Sequence, residues 1–165
     1  MLQRVLVFTR TLGYRHDSIG AGVAAIQKLG SENGFIVDQT EDPKRFSDQG
    51  LAGYDVVIWL STSGAVLDAD QQAAFRRHVE AGHGWVGIHG AADTAYGWAW
   101  YGQLLGGNAW LLNHPEIQVS EVNVEDPRHP STSRLGERFE WRDELYNFRA
   151  NPRGSVHVLL RVNES

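Results

Sequence analysis

The chain contains no cysteine among its 165 residues. It therefore cannot form a disulfide, use a thiolate as a nucleophile, or hold a metal ion through cysteine sulfur. Histidine and carboxylate side chains remain as the groups that could transfer protons near neutral pH or bind a divalent metal such as zinc.

Positive charge is also scarce, since 15 lysines and arginines face 20 aspartates and glutamates and give a formal net charge of -5. No lysine- or arginine-rich run is present, so nucleic acid and anionic membranes are not expected partners. A neutral or compact polar small molecule fits this composition better. The apolar stretch within Met1 to Arg10 is too short for a signal peptide, and no later segment could span a bilayer. We therefore expect a soluble, cytoplasmic protein.

The first half of the chain alternates predicted strands with predicted helices. With 42% hydrophobic residues, the chain can form one domain with a sizeable core. Short apolar runs and their flanking residues predict four strands, at Val5 to Phe8, Phe35 to Thr40, Tyr54 to Leu60 and Trp85 to Ile88. One helix begins near Asp17 or Ser18, and another begins behind a capping box formed by Asp68 and Gln71. This alternation predicts an α/β domain built on a parallel sheet with right-handed crossovers.

The other segments are less regular. Pro43 to Gly53 reads as a polar loop, and a short helix is expected near Trp100 to Leu105. Three further strands are predicted from alternating or apolar patterns, at Ile117 to Val124, Arg138 to Trp141 and Val156 to Val162. The segment from Asp93 to Pro115 is rich in glycine and aromatic residues and is predicted to be a functional loop.

Polar residues follow three of the predicted strands. The run from Gly84 to Asp93 is an apolar strand that ends in a turn of small residues carrying His89. His16 lies between the first strand and its helix, and Ser61-Thr62-Ser63 follows the third strand. Because ligands bind outside the carboxyl ends of parallel strands, these residues are expected to line one crevice.

Each histidine also has a structural interpretation. His16 could help to cap the helix that follows it, and His89 could be a buried histidine satisfied by the backbone. The small residues Gly90, Ala91 and Ala92 after His89 favour a tight active-site turn instead.

Six segments that span nearly the whole chain share their order with one known family. They are Tyr14 to Ile19, Gly87 to Thr94, Trp100 to Gly102, Asn113 to Pro115, Asp126 to Pro130 and Asp143 to Phe148. Together they resemble the ThuA-like family, which is named from trehalose utilisation. The resemblance implies a single domain over residues 1–165 with a flavodoxin-like fold, a mainly parallel sheet flanked by helices, similar to the class I glutamine amidotransferases. It also implies further elements, so that the chain reads as a C-terminally truncated form.

In those amidotransferases the turn after the corresponding strand bears a catalytic cysteine, and the resemblance puts His89 in its place. A glutaminase of that kind forms a thioester on a thiolate, and imidazole does not substitute for it. Glutamine hydrolysis by that route is therefore excluded for this chain.

The residue types that remain favour acid–base chemistry on a hydroxyl or carbonyl group. We predict that His89 is the central acid–base catalyst and that His16, Glu144 and Asp93 assist it. No HxH or HExxH spacing supports a metal, so no residue is assigned as a metal ligand, and zinc or another divalent ion is left open as a cofactor. For Glu144 and its neighbour Asp143, solvated surface charges are the alternative.

The resemblance makes a sugar the expected ligand, a disaccharide or keto sugar that the enzyme would isomerise or help to cleave. The residues predicted to contact it are Thr62, His114, Trp100, Tyr101, Asp143 and Tyr146. The aromatic residues Trp98, Trp100 and Tyr101 could instead anchor their loop to the core. A non-catalytic carbohydrate-binding or interaction domain is the alternative function, and assembly into a homo-oligomer is left open.

Overall fold

A computed structural model describes residues 2–106 and 114–163 of the chain. Residue contacts divide the chain into two compact units, Met1–Tyr101 and Gly102–Ser165. The prediction of a single domain stays a prediction.

The first unit contains a parallel sheet of four strands. They are β1 (Arg4–Phe8), β2 (Ile36–Thr40), β3 (Val56–Leu60) and β4 (Gly84–Ile88), in the order β2-β1-β3-β4. All three neighbouring pairs are parallel, which confirms the α/β sheet predicted from the apolar runs. The register aligns the ends of neighbouring strands, because Leu60 pairs with Ile88 and Phe8 with Trp59.

Helices cover the sheet at positions that their capping residues define. Helix α1 (Ile19–Asn33) ends at Gly34, whose positive φ of 74° lets its N–H bond back to the carbonyl of Gly30. Helix α3 (Ala69–Glu80) starts with the predicted capping box, in which Asp68 and Gln71 bond to each other's backbone N–H groups. Ile26 of α1 packs with Val5 and other apolar residues of the sheet.

The segment from Pro43 to Gly53 differs from the polar loop predicted for it. It contains a 3-10 turn (Pro43–Arg45) and a short helix α2 (Asp48–Leu51). Asp42 and Ser47 cap these two turns by accepting backbone N–H groups. Phe46 and Leu51 are buried, so the segment contributes to the core although most of its residues are polar.

Burial decreases from the centre of the sheet towards its edge strands. Val7 and Phe8 of β1 and Val57 of β3 are fully buried, as predicted for strands covered on both faces. Strand β4 lies at the edge, and Val86 in its centre is 44% exposed. At the other edge, Ile36 of β2 is 43% exposed, so the sheet is buried at its centre and partly exposed along both edge strands.

The second unit contains an antiparallel sheet of three strands in the order β6-β5-β7. They are β5 (Gln118–Val124), β6 (Arg138–Asp143) and β7 (Leu160–Val162). Strand β7 is shorter than the predicted Val156 to Val162, because a 3-10 turn at Pro152–Gly154 precedes it and pairing with β5 begins only at Leu160. Helix α4 (Ala99–Leu104) lies where the sequence predicts a short helix.

Among residues 2–106 and 114–163, none of the helices combines the length and the apolar character needed to cross a bilayer.

Candidate active site

The turn after β4 holds His89 in a strained backbone conformation. His89 directly follows Ile88, the last residue of the strand, and begins a 3-10 turn, His89–Asp93. Its φ is +49°, in the left-handed region that residues other than glycine adopt at an energetic cost. A sharp strand-to-helix turn with a strained residue at its apex is the geometry of a nucleophile elbow. The backbone at His89 has this geometry, and the side chain at its apex is an imidazole.

Small residues around His89 are required by the close approach of neighbouring backbone. A Cβ atom on Gly90 would lie 3.1 Å from the carbonyl oxygen of Thr62 and 3.2 Å from the Cα of Ser61. A Cβ atom on Gly87 would lie 2.6 Å from the indole ring of Trp85. Gly90 therefore lets the turn pack tightly against the end of β3, and Gly87 leaves room for the Trp85 indole.

The loop after β3 is strained as well. Ser61, the first residue after that strand, has a φ of +47°, and its N–H donates to the carbonyl of Ile88 at 3.0 Å. Ala95 has a φ of +53° and donates its N–H to Gly64 at 3.0 Å. Strained residues of this kind persist only where the surrounding structure holds them, and they cluster at functional sites.

Thr62 and Thr94 join these two loops. Their hydroxyl oxygens are 2.9 Å apart, and the Thr94 hydroxyl also donates to the carbonyl of Gly90 at 3.2 Å. Thr62 has no exposed surface. Thr62 thus joins the elbow to the loop after β3, and the ligand contact predicted for it stays a prediction.

The imidazole rings of His16 and His89 lie against each other. Their centroids are 4.5 Å apart with an interplanar angle of 71°, and each ring offers a nitrogen within 4.8 Å of a nitrogen of the other. Both residues are half-buried. The structure thus brings together the two histidines that the sequence placed at the ends of β1 and β4.

Asp93 ends the same 3-10 turn that His89 begins. Its carbonyl accepts the N–H of Gly64 at 2.9 Å, and its side chain is half-buried. Burial raises the pKa of the Asp93 carboxyl above its ordinary value. A carboxyl group that keeps its proton to higher pH is better suited to donating it.

Of the aromatic residues predicted to contact a sugar, Tyr101 is buried, whereas Trp98 and Trp100 are half-buried. Tyr101 is 1% exposed, stacks on Trp59 at 4.9 Å, and donates its hydroxyl to the carbonyl of Ala91 at 2.7 Å. Trp98 stacks on Tyr101 at 5.8 Å. Trp100 lies edge-on to Phe75 at 6.0 Å, and its indole N–H donates to Glu80 at 3.1 Å. These contacts agree with the alternative interpretation, in which the aromatic residues anchor the loop.

Tyr14 is a candidate residue to which the sequence interpretation gave no role. Its ring centroid is 4.8 Å from that of His16, and 69% of the residue is exposed. The only sequence signal was its position in the Tyr14 to Ile19 segment, two residues before His16.

The remaining predicted site residues lie in the second unit. The ring of His114 stacks on that of Tyr146 at 5.6 Å, and its Nδ1 is 2.9 Å from the carbonyl oxygen of Pro115. Asp143 accepts the indole N–H of Trp141 at 3.1 Å and the backbone N–H of Glu144 at 2.8 Å. Glu144 directly follows β6 and is half-buried. Asn113, which opens one of the family-like segments, lies outside the described residues.

The two imidazoles could each give one nitrogen ligand to a divalent metal. A zinc site in a protein usually has three or four ligands. His16 and His89 would therefore need a carboxylate or water to complete a coordination shell. The same two rings can act without a metal as a proton donor and acceptor pair.

Comparisons with known proteins bear on the fold and the family of the chain. Two solved structures resemble the chain in fold, and both are described as ThuA-like proteins. That of Bacteroides uniformis is 27% identical, with a TM-score of 0.83, and the match covers 98% of this chain and 68% of the other. That of Parabacteroides merdae is 17% identical, with a TM-score of 0.76 and the same coverage. No curated protein is significantly similar to the chain in sequence.

The similarity to the Bacteroides uniformis structure extends over nearly the whole chain and agrees with a flavodoxin-like α/β fold. The model of the ThuA family, described as trehalose utilisation, matches residues 4–165. That match includes β1, the His89 elbow and all three strands of the second unit. The chain therefore belongs to the ThuA family.

Proposed function

We propose that this chain is an enzyme of carbohydrate utilisation that acts on a disaccharide or keto sugar by proton transfer, with His89 as the central acid–base catalyst. The observation that carries the proposal is the position of His89. It is held at a φ of +49° on the elbow, with the His16 ring 4.5 Å away. Maintaining a strained histidine against a second imidazole is explained by a chemical role better than by packing.

Two neighbouring imidazoles suit a reaction that needs one proton removed and one supplied. In the isomerisation of a keto sugar, one ring takes a proton from the carbon beside the carbonyl while the other protonates the carbonyl oxygen. The isomerisation is completed when the first ring returns its proton to the former carbonyl carbon and the second ring takes the hydroxyl proton of the neighbouring carbon, which becomes the new carbonyl. In glycosidic cleavage, one ring protonates the bridging oxygen and the other takes a proton from the attacking water.

Carboxylates would orient the imidazoles or share the proton transfer. Asp93 is proposed for this role because it belongs to the same turn as His89 and because burial raises the pKa of its carboxyl. Glu144 is proposed on its sequence motif alone. The sugar class comes from the family, whose description is trehalose utilisation.

The experiment that tests this proposal uses proton NMR in D2O. Trehalose, related disaccharides and keto sugars are incubated with the protein, and the spectra report both cleavage products and deuterium incorporated at carbon. We expect turnover by the wild-type chain and a loss of about 100-fold or more in His89→Ala and His16→Ala, the usual size of a general acid–base contribution. Leu29→Ala, a change at an exposed residue of α1, serves as the control.

The other outcomes discriminate between the alternatives. Full turnover in His89→Ala would contradict the assigned role. Binding of a sugar without turnover by the wild-type chain would support a non-catalytic carbohydrate-binding domain. Parallel assays with a chelator and with added zinc show whether the histidine pair works through a metal.

A further inference from the structure

We infer that Tyr14 forms the stacking surface on which the sugar ring lies at this site. The inference takes its choice of ligand from the function proposed above. Pyranose sugars present an apolar face of C–H groups, and the electron-rich face of an aromatic ring is a favourable surface for such groups. An exposed aromatic ring close to the reacting groups is therefore suited to bind the sugar.

Tyr14 lies in a row with the two histidines of the site. Its ring lies 4.8 Å from that of His16, and the His16 ring lies 4.5 Å from that of His89. The three rings thus follow one another from the exposed loop to the elbow. A sugar ring lying against Tyr14 would have its hydroxyl groups beside the imidazole nitrogens.

Most of the Tyr14 side chain is exposed. With 69% of the residue exposed, at least one face of its ring is open to solvent. Tyr101, by contrast, is buried in the aromatic interior. Tyr14 is therefore an aromatic residue beside the histidine pair with a face that a ligand can reach.

Hydrogen bonds from Ser63 fix the loop that contains Tyr14. The Ser63 hydroxyl donates to the carbonyl of Tyr14 at 2.7 Å and accepts the N–H of Gly13 at 3.2 Å. The backbone carbonyl of Ser63 accepts the N–H of Leu12 at 2.8 Å. Anchoring the loop before a ligand arrives reduces the entropy lost on binding, which is how preorganised sites gain affinity.

The test measures trehalose and glucose binding by titration calorimetry and saturation-transfer NMR. We expect Tyr14→Ala to weaken binding about fivefold to tenfold, the range expected for loss of one aromatic stacking contact, and to weaken saturation of the sugar C–H protons. Tyr14→Phe keeps the ring and should bind as the wild-type chain does. Leu12→Ala is the matched control, because Leu12 is a similarly exposed apolar residue of the same loop. Circular dichroism and thermal unfolding verify that each variant is folded.

Two results would overturn the inference. One is equal affinity in Tyr14→Ala and wild type, and the other is no binding of either sugar by the wild-type chain. Failure of the proposed function would give a different pattern of binding and turnover. In that case binding depends on Tyr14, but no turnover is lost in His89→Ala.

Discussion

The hydroxyl groups of Thr62 and Thr94 form a buried hydrogen bond 2.9 Å long between the loop after β3 and the end of the elbow turn. Either hydroxyl could donate in this pair, and because the single hydroxyl proton of Thr94 can be given to the carbonyl of Gly90 at 3.2 Å, we expect Thr62 to be the donor to Thr94. Neither side chain is exposed to a ligand. The elbow is therefore held by a hydrogen bond between two buried side chains.

This order of donors predicts unequal effects for two similar substitutions. Thr94→Val leaves the buried Thr62 hydroxyl without its acceptor and should lower the free energy of unfolding by about 1–3 kcal/mol. Thr62→Val leaves Thr94 bonded to Gly90 and should cost only about 1 kcal/mol. Urea unfolding of the two variants measures the difference. A larger loss in Thr62→Val would show that the donor order is wrong.

The strained backbone of His89 predicts that glycine is favourable there. Alanine at a φ of +49° keeps the steric cost of the left-handed region, about 1–2 kcal/mol, whereas glycine avoids it. After allowing for the greater entropy of glycine in the unfolded chain, His89→Gly should be more stable than His89→Ala by about 1 kcal/mol. Thermal and urea unfolding compare the two.

The control for that comparison is Ala25→Gly, an exposed position inside α1. There glycine should be less stable than alanine by about 1 kcal/mol. If glycine destabilised both positions equally, the left-handed conformation of His89 would be refuted.

The close contact between Gly87 and the indole of Trp85 predicts that adding a single methyl group at Gly87 lowers the free energy of unfolding. In Gly87→Ala the new Cβ would lie 2.6 Å from the indole, whose ring is also packed edge-on to Tyr101 at 5.7 Å. The indole would have to move, and we expect a loss of about 1–3 kcal/mol in the free energy of unfolding. Gly20→Ala in α1, where nothing lies within 4 Å of the added Cβ, should be neutral or stabilising by up to about 1 kcal/mol. Similar stability of the two variants would contradict this packing.

A different pair of histidines, His78 and His83 at the end of α3, predicts a loss of stability in acid. The rings of His78 and His83 are stacked at 4.0 Å, and the buried Nε2 of His78 has no hydrogen-bond partner within the described part of the chain. Burial, and secondarily the charge of His83, lowers the pKa of His78 from 6.5 to about 4.

Because the pKa is depressed in the folded state, the stabilisation is complete above pH 6.5 and is lost as the pH falls through about 4. The difference corresponds to about 3 kcal/mol. Urea unfolding between pH 7.5 and pH 4 should give a shallower pH dependence for His78→Leu than for the wild-type chain. His83→Ala removes only the smaller cause and should change the dependence slightly. Identical pH profiles for His78→Leu and wild type would refute the shift.

The features that sequence predicted well are those that local patterns determine. Short apolar runs predict the strands of the parallel sheet, and the capping box of Asp68 and Gln71 predicts the start of α3. The proximity of His16 and His89 follows from topology, because all strands of a parallel sheet present their carboxyl ends at the same edge, and only β3 separates β1 from β4.

Other features depend on contacts that no local pattern contains. An aromatic residue in a glycine-rich segment has the same sequence pattern whether it faces the core or a ligand, so the burial of Tyr101 could not be read from its neighbours. Helix α2 was missed because one short turn provides too few apolar residues to show a helical period. The strain at Ser61 and Ala95 also arises from tertiary contacts rather than from residue type.

The central position of β1 has a consequence for how the chain folds. β1 is the first described strand in the chain, yet it pairs on both sides with later strands, Arg4 with Ile36 and Val5 with Val56. Parallel neighbours cannot start from a hairpin, so the cost of closing long loops comes before the contacts that repay it. During synthesis, the apolar residues Val5 to Phe8 leave the ribosome well before their partners. This first strand is therefore the segment that most needs protection from aggregation while the rest of the sheet is being made.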